Sequence, residues 1–156
     1  MPRLRLPIAL SVLSVLSILL VLAVPSIQTA AAEIVGRARA VDGVTLEIAG
    51  RLIRLHGIAA PAAGSPCVTA HGPDHCNLQA GFALAEILEL HWITCVEHGA
   101  TAIGIVLAVC HAGHYDINAS MVRSGWATAD NRVAPHYLPY ETQARAERRG
   151  MWGSGL

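Results

Sequence analysis

Residues 42–62 read Asp-Gly-Val-Thr-Leu-Glu-Ile-Ala-Gly-Arg-Leu-Ile-Arg-Leu-His-Gly-Ile-Ala-Ala-Pro-Ala. Asp42-Gly43 lies between two runs of alternating apolar residues, which is a strong signal for a tight β-hairpin. Ala49-Gly50 marks a second turn by the same reasoning. The stretch therefore predicts a three-stranded meander, with strands over residues 34–41, 44–48 and 52–58. Because side chains alternate along a strand, one face of the third strand carries Leu52, Arg54 and His56.

The rest of the chain continues this β-rich pattern. Residues 59–76 contain several glycines and prolines, so we expect a loop without regular structure. Apolar periodicity and Asn77 as an N-cap predict a helix over residues 78–90. Two more strands are expected over residues 93–97 and 103–110. Helices over residues 117–124, capped by Asp116, and 138–149 complete the order. Five strands and three helices in this sequence predict a β-rich α+β fold, a five-stranded OB-type barrel.

The opening stretch resembles the thermonuclease (staphylococcal-nuclease-like) family. The family pattern Asp-Gly-Asp-Thr, then Arg-Leu-x-Gly-Ile-Asp-x-Pro-Glu, matches the frame of residues 42–62 position by position. Residues 116–127 and 140–152 resemble the family's last two helices, so the resemblance covers nearly all of residues 34–152. It implies an OB-fold and calcium-dependent hydrolysis of phosphodiester bonds in DNA or RNA.

Most residues that the family uses for this chemistry are replaced. The resemblance places Val44 and Ala59 where the family has metal-binding aspartates, Ala62 where it has the catalytic glutamate, and Ile105 where it has the second arginine. Of these family side chains, Arg54 alone is retained. We therefore expect an inactive or severely impaired nuclease homologue, with a binding or structural role and without a calcium cofactor. An active nuclease with a non-standard site is the alternative.

Arg54 has two interpretations from sequence. It is either a structural arginine that pairs with an acid such as Glu47, or a retained contact for an anion or nucleic acid. In the second case we expect it to line a largely apolar pocket that prefers anions over cations. The sequence names no other partner.

Residues 1–32 have the features of a signal peptide. Arg3 and Arg5 precede an apolar run over residues 8–24, and small residues follow, so cleavage is expected before Glu33. Residues 33–156 would then form the staphylococcal-nuclease-like OB domain of an exported protein, periplasmic or secreted. The alternative is a retained leader that anchors the chain to a membrane.

Four cysteines in an exported chain favour disulfides. Short separation predicts a Cys67–Cys76 bond, and positions on the two strands of one hairpin predict Cys95–Cys110. The alternative is a small zinc-binding module in which His71 and His75 join Cys67 and Cys76 as ligands.

The charge of the chain does not favour strong nucleic-acid binding. All 11 basic residues are arginine, against 11 acidic residues. Removal of the leader with Arg3 and Arg5 leaves a slight acidic excess, whereas nucleic-acid-binding domains usually carry a basic stripe. The eight histidines add positive charge only in an acidic environment.

Overall fold

Five strands close into a barrel in the computed structural model, which describes residues 32–69 and 72–153. Neighbouring strands are antiparallel in the order β3-β2-β1-β4-β5, and a parallel pairing between β3 and β5 closes the barrel. This architecture confirms the predicted five-stranded barrel. The strands are β1 (Glu33–Ala40), β2 (Thr45–Ile48), β3 (Arg51–Leu55), β4 (Trp92–Ala100) and β5 (Val106–Ala112).

The meander forms where the opening stretch predicts it. The Asp42 carboxylate accepts a hydrogen bond from the Val44 N–H at 2.7 Å, which holds the first turn. The second turn uses left-handed backbone at Ala49 and Gly50, with φ of 50° and 80°. Alternation then sends one set of side chains into the barrel. That set comprises Leu46, Ile48, Ile53 and Leu55, all of them buried.

The part of the chain that the structure describes contains three α-helices, as predicted. The first, α1 (Cys76–Leu88), begins two residues before the expected start, with His75 rather than Asn77 at the N-cap. Asp116 caps α2 (Ile117–Arg123) by accepting from the Ala119 N–H at 2.9 Å. The third helix, α3 (Leu138–Ala146), ends three residues early. Arg148 adopts a positive φ of 55°, which is incompatible with a continuing helix.

The segment between β3 and α1 is not the irregular loop that its composition predicts. Pro66–Thr69 pairs antiparallel with Gly72–His75 as a separate two-stranded sheet. Its prolines lack N–H donors, but a two-stranded sheet has only edge strands, where a missing donor is tolerated. Other short elements are strands Ile58–Ala59 and Thr128–Ala129, which pair with each other, strand Tyr115–Asp116, and 3₁₀ turns Pro135–Tyr137 and Gly150–Trp152.

One of the two predicted disulfides is present. Cys95 and Cys110 lie directly opposite each other on β4 and β5 and are joined, with Cα atoms 4.0 Å apart. The predicted Cys67–Cys76 bond is wrong: both residues are buried, and no disulfide joins them. The register explains the difference, because Cys67 faces Asp74 and the chain reaches Cys76 only after the paired strand has ended. A disulfide needs two Cα atoms at a short separation and Cβ atoms that point toward each other, which directly opposed positions such as 95 and 110 provide.

Some expectations fall on residues outside the description. The predicted signal peptide lies outside it apart from Ala32, as does His71 of the zinc hypothesis. His75 is exposed, and residues 32–69 and 72–153 contain no cluster of three or more histidine, cysteine or acidic side chains suited to a metal ion. Within those ranges no helix has the length and apolar character needed to cross a membrane.

Candidate functional site

Arg54 lies on the outer surface of the barrel. On β3 it stands between Thr45 of β2 and Leu107 of β5. Its neighbours Ile53 and Leu55 are buried, so alternation directs Arg54 outward, where it is exposed. The side chain borders a cavity of about 210 Å³, whose lining also includes His56, Ala59, Leu107, Asp130 and Val133. Most of its lining is apolar, as expected, and His56 and Asp130 add two polar side chains to Arg54.

Glu47 is not the partner of Arg54. The Glu47 carboxylate binds Arg39, its cross-strand neighbour, at 2.5 Å. No described residue forms a hydrogen bond or ion pair with the Arg54 guanidinium. The structural interpretation based on Glu47 is therefore wrong. An exposed guanidinium without a carboxylate partner is available to an external anion.

The positions that the family resemblance marks as replaced have different surroundings. Val44 is 1% exposed and packs in the core, while its carbonyl accepts from the Leu55 N–H at 2.8 Å. Ala59 shares the cavity with Arg54, and Ala62 is exposed away from it. Ile105 lines a different cavity. Each of these side chains is apolar, so none can ligate a hard cation such as calcium.

Asp130 contributes a carboxylate to the lining of the cavity, and the sequence pattern does not predict it there. It arrives through pairing of Ala129 with Ile58, and its own N–H donates to the Gly57 carbonyl at 2.9 Å. One carboxylate oxygen accepts from the N–H groups of Arg132 and Val133 at 2.9 and 3.3 Å, so it also holds its own turn. No local pattern marks this residue, because only long-range pairing brings it to Arg54.

His56 meets a second histidine at the cavity edge. Its ring stacks on His98 with centroids 5.0 Å apart and planes 8° from parallel. Desolvation by burial, followed by repulsion from His98, lowers the pKa of His56, and the Asp130 carboxylate opposes this shift. His56 was foreseeable from its position two residues after Arg54 on the same strand face. His98 was not, since its approach depends on β4.

Asn118 fixes the backbone of His56. This fully buried amide accepts from the Cys110 N–H at 3.1 Å. It donates to the carbonyls of His56 and Ala108 at 2.9 and 3.3 Å. The end of β3 is thereby tied to β5 and α2, which positions the cavity wall.

Comparison with known proteins gives two similarities. A family profile described as "Staphylococcal nuclease homologue" matches residues 52–154, a span that includes Arg54 but begins after Val44. The chain is also 30% identical over 129 residues to "Succinoglycan biosynthesis protein ExoI" of Rhizobium meliloti (strain 1021). That alignment covers 79% of this chain and 66% of the relative, so the chain spans just under two thirds of the length of the curated relative it matches.

Proposed function

This chain belongs to the staphylococcal nuclease-like family. We propose that it is an exported homologue without calcium-dependent cleavage. We also propose that it binds an anionic ligand through Arg54. The observation that carries the proposal is the environment of Arg54. The guanidinium is exposed without a described partner, while the family positions for metal and base are apolar.

Loss of these groups removes each part of the family reaction. A hard cation needs several oxygen ligands, and Val44 and Ala59 offer no side-chain oxygen. Activation of the attacking water needs a base or an orienting group, which Ala62 cannot supply. Loss of a single fixed donor at such a site commonly costs about 10²–10³ in rate. Loss of the ion, the base and one arginine together leaves little of this chemistry.

We predict that the mature domain shows no calcium-stimulated cleavage of single-stranded DNA or RNA. The assay compares purified protein in calcium with the same protein in a chelator, followed over hours by gel electrophoresis. Arg54→Gln is the internal control, because contaminating nuclease would be unaffected by it. Calcium-dependent cleavage that copurifies with the domain and disappears in Arg54→Gln would refute the loss of activity.

A nuclease with a non-standard site is the second candidate. It is favoured by His56 and Asp130, which add a titratable imidazole and a carboxylate to the cavity of Arg54. This candidate predicts cleavage that continues in the chelator and is lost in His56→Gln. The same gel assay therefore separates it from the calcium-dependent reaction.

The anion-binding role is tested by titrating the protein with a short single-stranded oligonucleotide. A separate titration with calcium chloride measures whether the protein binds a cation instead. The proposal expects Arg54-dependent binding of the oligonucleotide and none of calcium at submillimolar concentration. Because the relative is named for succinoglycan biosynthesis, a polysaccharide is the second ligand class for this titration. Calcium binding without anion binding would contradict the proposal.

Export is supported by the features of residues 1–32 and by the start of β1 at Glu33, directly after the expected cleavage point. We predict that the mature protein begins at Glu33 and is recovered outside the cytoplasm. N-terminal sequencing and cell fractionation measure both. A full-length chain in the membrane fraction would instead support the retained anchor.

A further inference from the structure

His98 occupies an irregularity of β4. Pairing with β5 passes from Glu97 opposite Ala108 to Gly99 opposite Leu107, so His98 is left without an opposing residue. Gly99 at this bulge has a φ of 140°, a conformation that favours glycine. Bulges of this kind bend a strand and redirect a side chain. Here the redirected side chain is the imidazole that stacks on His56.

The bulge brings His98 toward the strand that carries Arg54. Leu107 faces Gly99 on one side and Arg54 on the other, so β5 alone separates the bulge from Arg54. Arg54 and His56 line one cavity, and His98 extends its edge through the stack. Arg54 and a stacked pair of imidazoles, all cationic or able to become cationic, therefore lie along one cavity and its edge.

The carboxylates nearest these three side chains also have other partners. Asp130 is the carboxylate of the cavity lining, and it lies 4.0 Å from the Arg132 guanidinium while holding its own turn. Glu97, next to His98 in sequence, binds Arg51 at 2.8 Å. Repulsion between two stacked imidazoles disfavours the protonation of both. The pKa of His56 is lowered first by desolvation on burial and then by His98, while the Asp130 carboxylate opposes the shift.

We propose that Arg54, His56 and His98 form a three-point site for a phosphodiester oxyanion and that this site binds more tightly as the pH falls. The inference rests on the proposed function, since it requires anion binding at Arg54. Arg54 supplies a constant charge, and each imidazole adds charge when protonated. A bound oxyanion relieves the repulsion in the stack, so by linkage protonation of the imidazoles and oxyanion binding favour each other.

Dimethyl phosphate is a suitable probe because its charge is the same at pH 7.5 and pH 5.5. Its affinity is measured at both values by NMR titration of backbone amides. One additional charge at contact distance in water changes an affinity by about fivefold, so two histidines give roughly tenfold or more between these pH values. Trimethyl phosphate, which is uncharged, should show no such change.

Matched variants locate the effect. His98→Gln keeps a side chain that donates hydrogen bonds but cannot become charged. We expect it to reduce the pH dependence to the contribution of His56 alone, about fivefold or less, while binding at pH 7.5 persists. His91→Gln is the control. His91 is an exposed histidine that follows α1 and contacts the Ile87 carbonyl, and its replacement should leave the roughly tenfold change in affinity between the two pH values intact. Amide spectra of each variant verify the fold.

The outcomes separate this inference from the proposed function. Arg54-dependent binding with a flat pH profile, or with a profile that His98→Gln does not alter, overturns the three-point site and leaves the anion-binding role standing. Equal pH dependence with trimethyl phosphate also overturns it. Absence of dimethyl phosphate and oligonucleotide binding at both pH values contradicts the proposed function itself.

Discussion

Val44→Asp, which restores the acid that the family resemblance places at this position, is expected to destabilise the domain by about 4 kcal/mol. Val44 is 1% exposed among core side chains such as Leu55, so the new carboxylate would be buried without a partner. A buried carboxylate without compensation either loses its solvation or takes up a proton. Urea unfolding followed by tryptophan fluorescence measures the loss at pH 7.

The pH dependence of this variant has a defined sign. Burial raises the pKa of the introduced carboxyl in the folded state above its value in the unfolded state. In the pH interval between these two pKa values, the folded state therefore binds more protons than the unfolded state. Stability then falls as the pH rises through the interval, and the deficit relative to wild type is smaller at pH 4 than at pH 7.

Ala59→Asp is the matched control for Val44→Asp, because Ala59 is exposed and the same acid there should change stability by no more than about 0.5 kcal/mol. Equal unfolding midpoints for Val44→Asp and wild type would mean that position 44 faces solvent. In that case the proposed loss of calcium binding at position 44 would rest on the identity of its side chain and not on its burial.

The barrel was predictable because its decisive signals are local. Asp42-Gly43 and Ala49-Gly50 produce the turns that set the meander, and alternation then fixes which side chains enter the core. Asp116 likewise caps α2 through a contact three residues away. The prediction failed at the Pro66–Thr69 and Gly72–His75 hairpin, where glycines and prolines that are typical of an irregular loop lie within two short paired strands.

The candidate site was predictable in part for the same reason. Arg54 and His56 follow from the alternation of one strand, but the outward direction of Arg54 required the closure of the barrel between β3 and β5. Asp130 reaches the cavity through a short strand pairing, and His98 reaches the ring of His56 through a bulge. Neither feature leaves a periodic pattern, so no reading of composition or spacing could have placed these two residues beside Arg54.

Asn118→Asp is the second substitution with a large expected effect, a loss of about 3–5 kcal/mol in the free energy of unfolding at pH 7. The change is nearly isosteric, and one oxygen still accepts from the Cys110 N–H. The other oxygen replaces the amide donor that now reaches the His56 and Ala108 carbonyls at 2.9 and 3.3 Å. A buried anion facing two carbonyl oxygens is repelled by both. It leaves the His56 carbonyl without this donor, whereas the Ala108 carbonyl still accepts from the His56 N–H at 2.8 Å.

The same substitution at an exposed site separates burial from chemistry. Asn131→Asp introduces an identical charge on the surface, and we expect its unfolding midpoint to remain close to that of wild type. Protonation of Asp at position 118 restores one donor, so the deficit of Asn118→Asp should shrink as the pH falls toward 4. Asn118 holds the His56 carbonyl in place. Molecules of this variant that are only partly folded should therefore also fail to bind dimethyl phosphate. A wild-type midpoint for Asn118→Asp would show that the three hydrogen bonds of this amide do not secure the end of β3, and the position of His56 would then need another explanation.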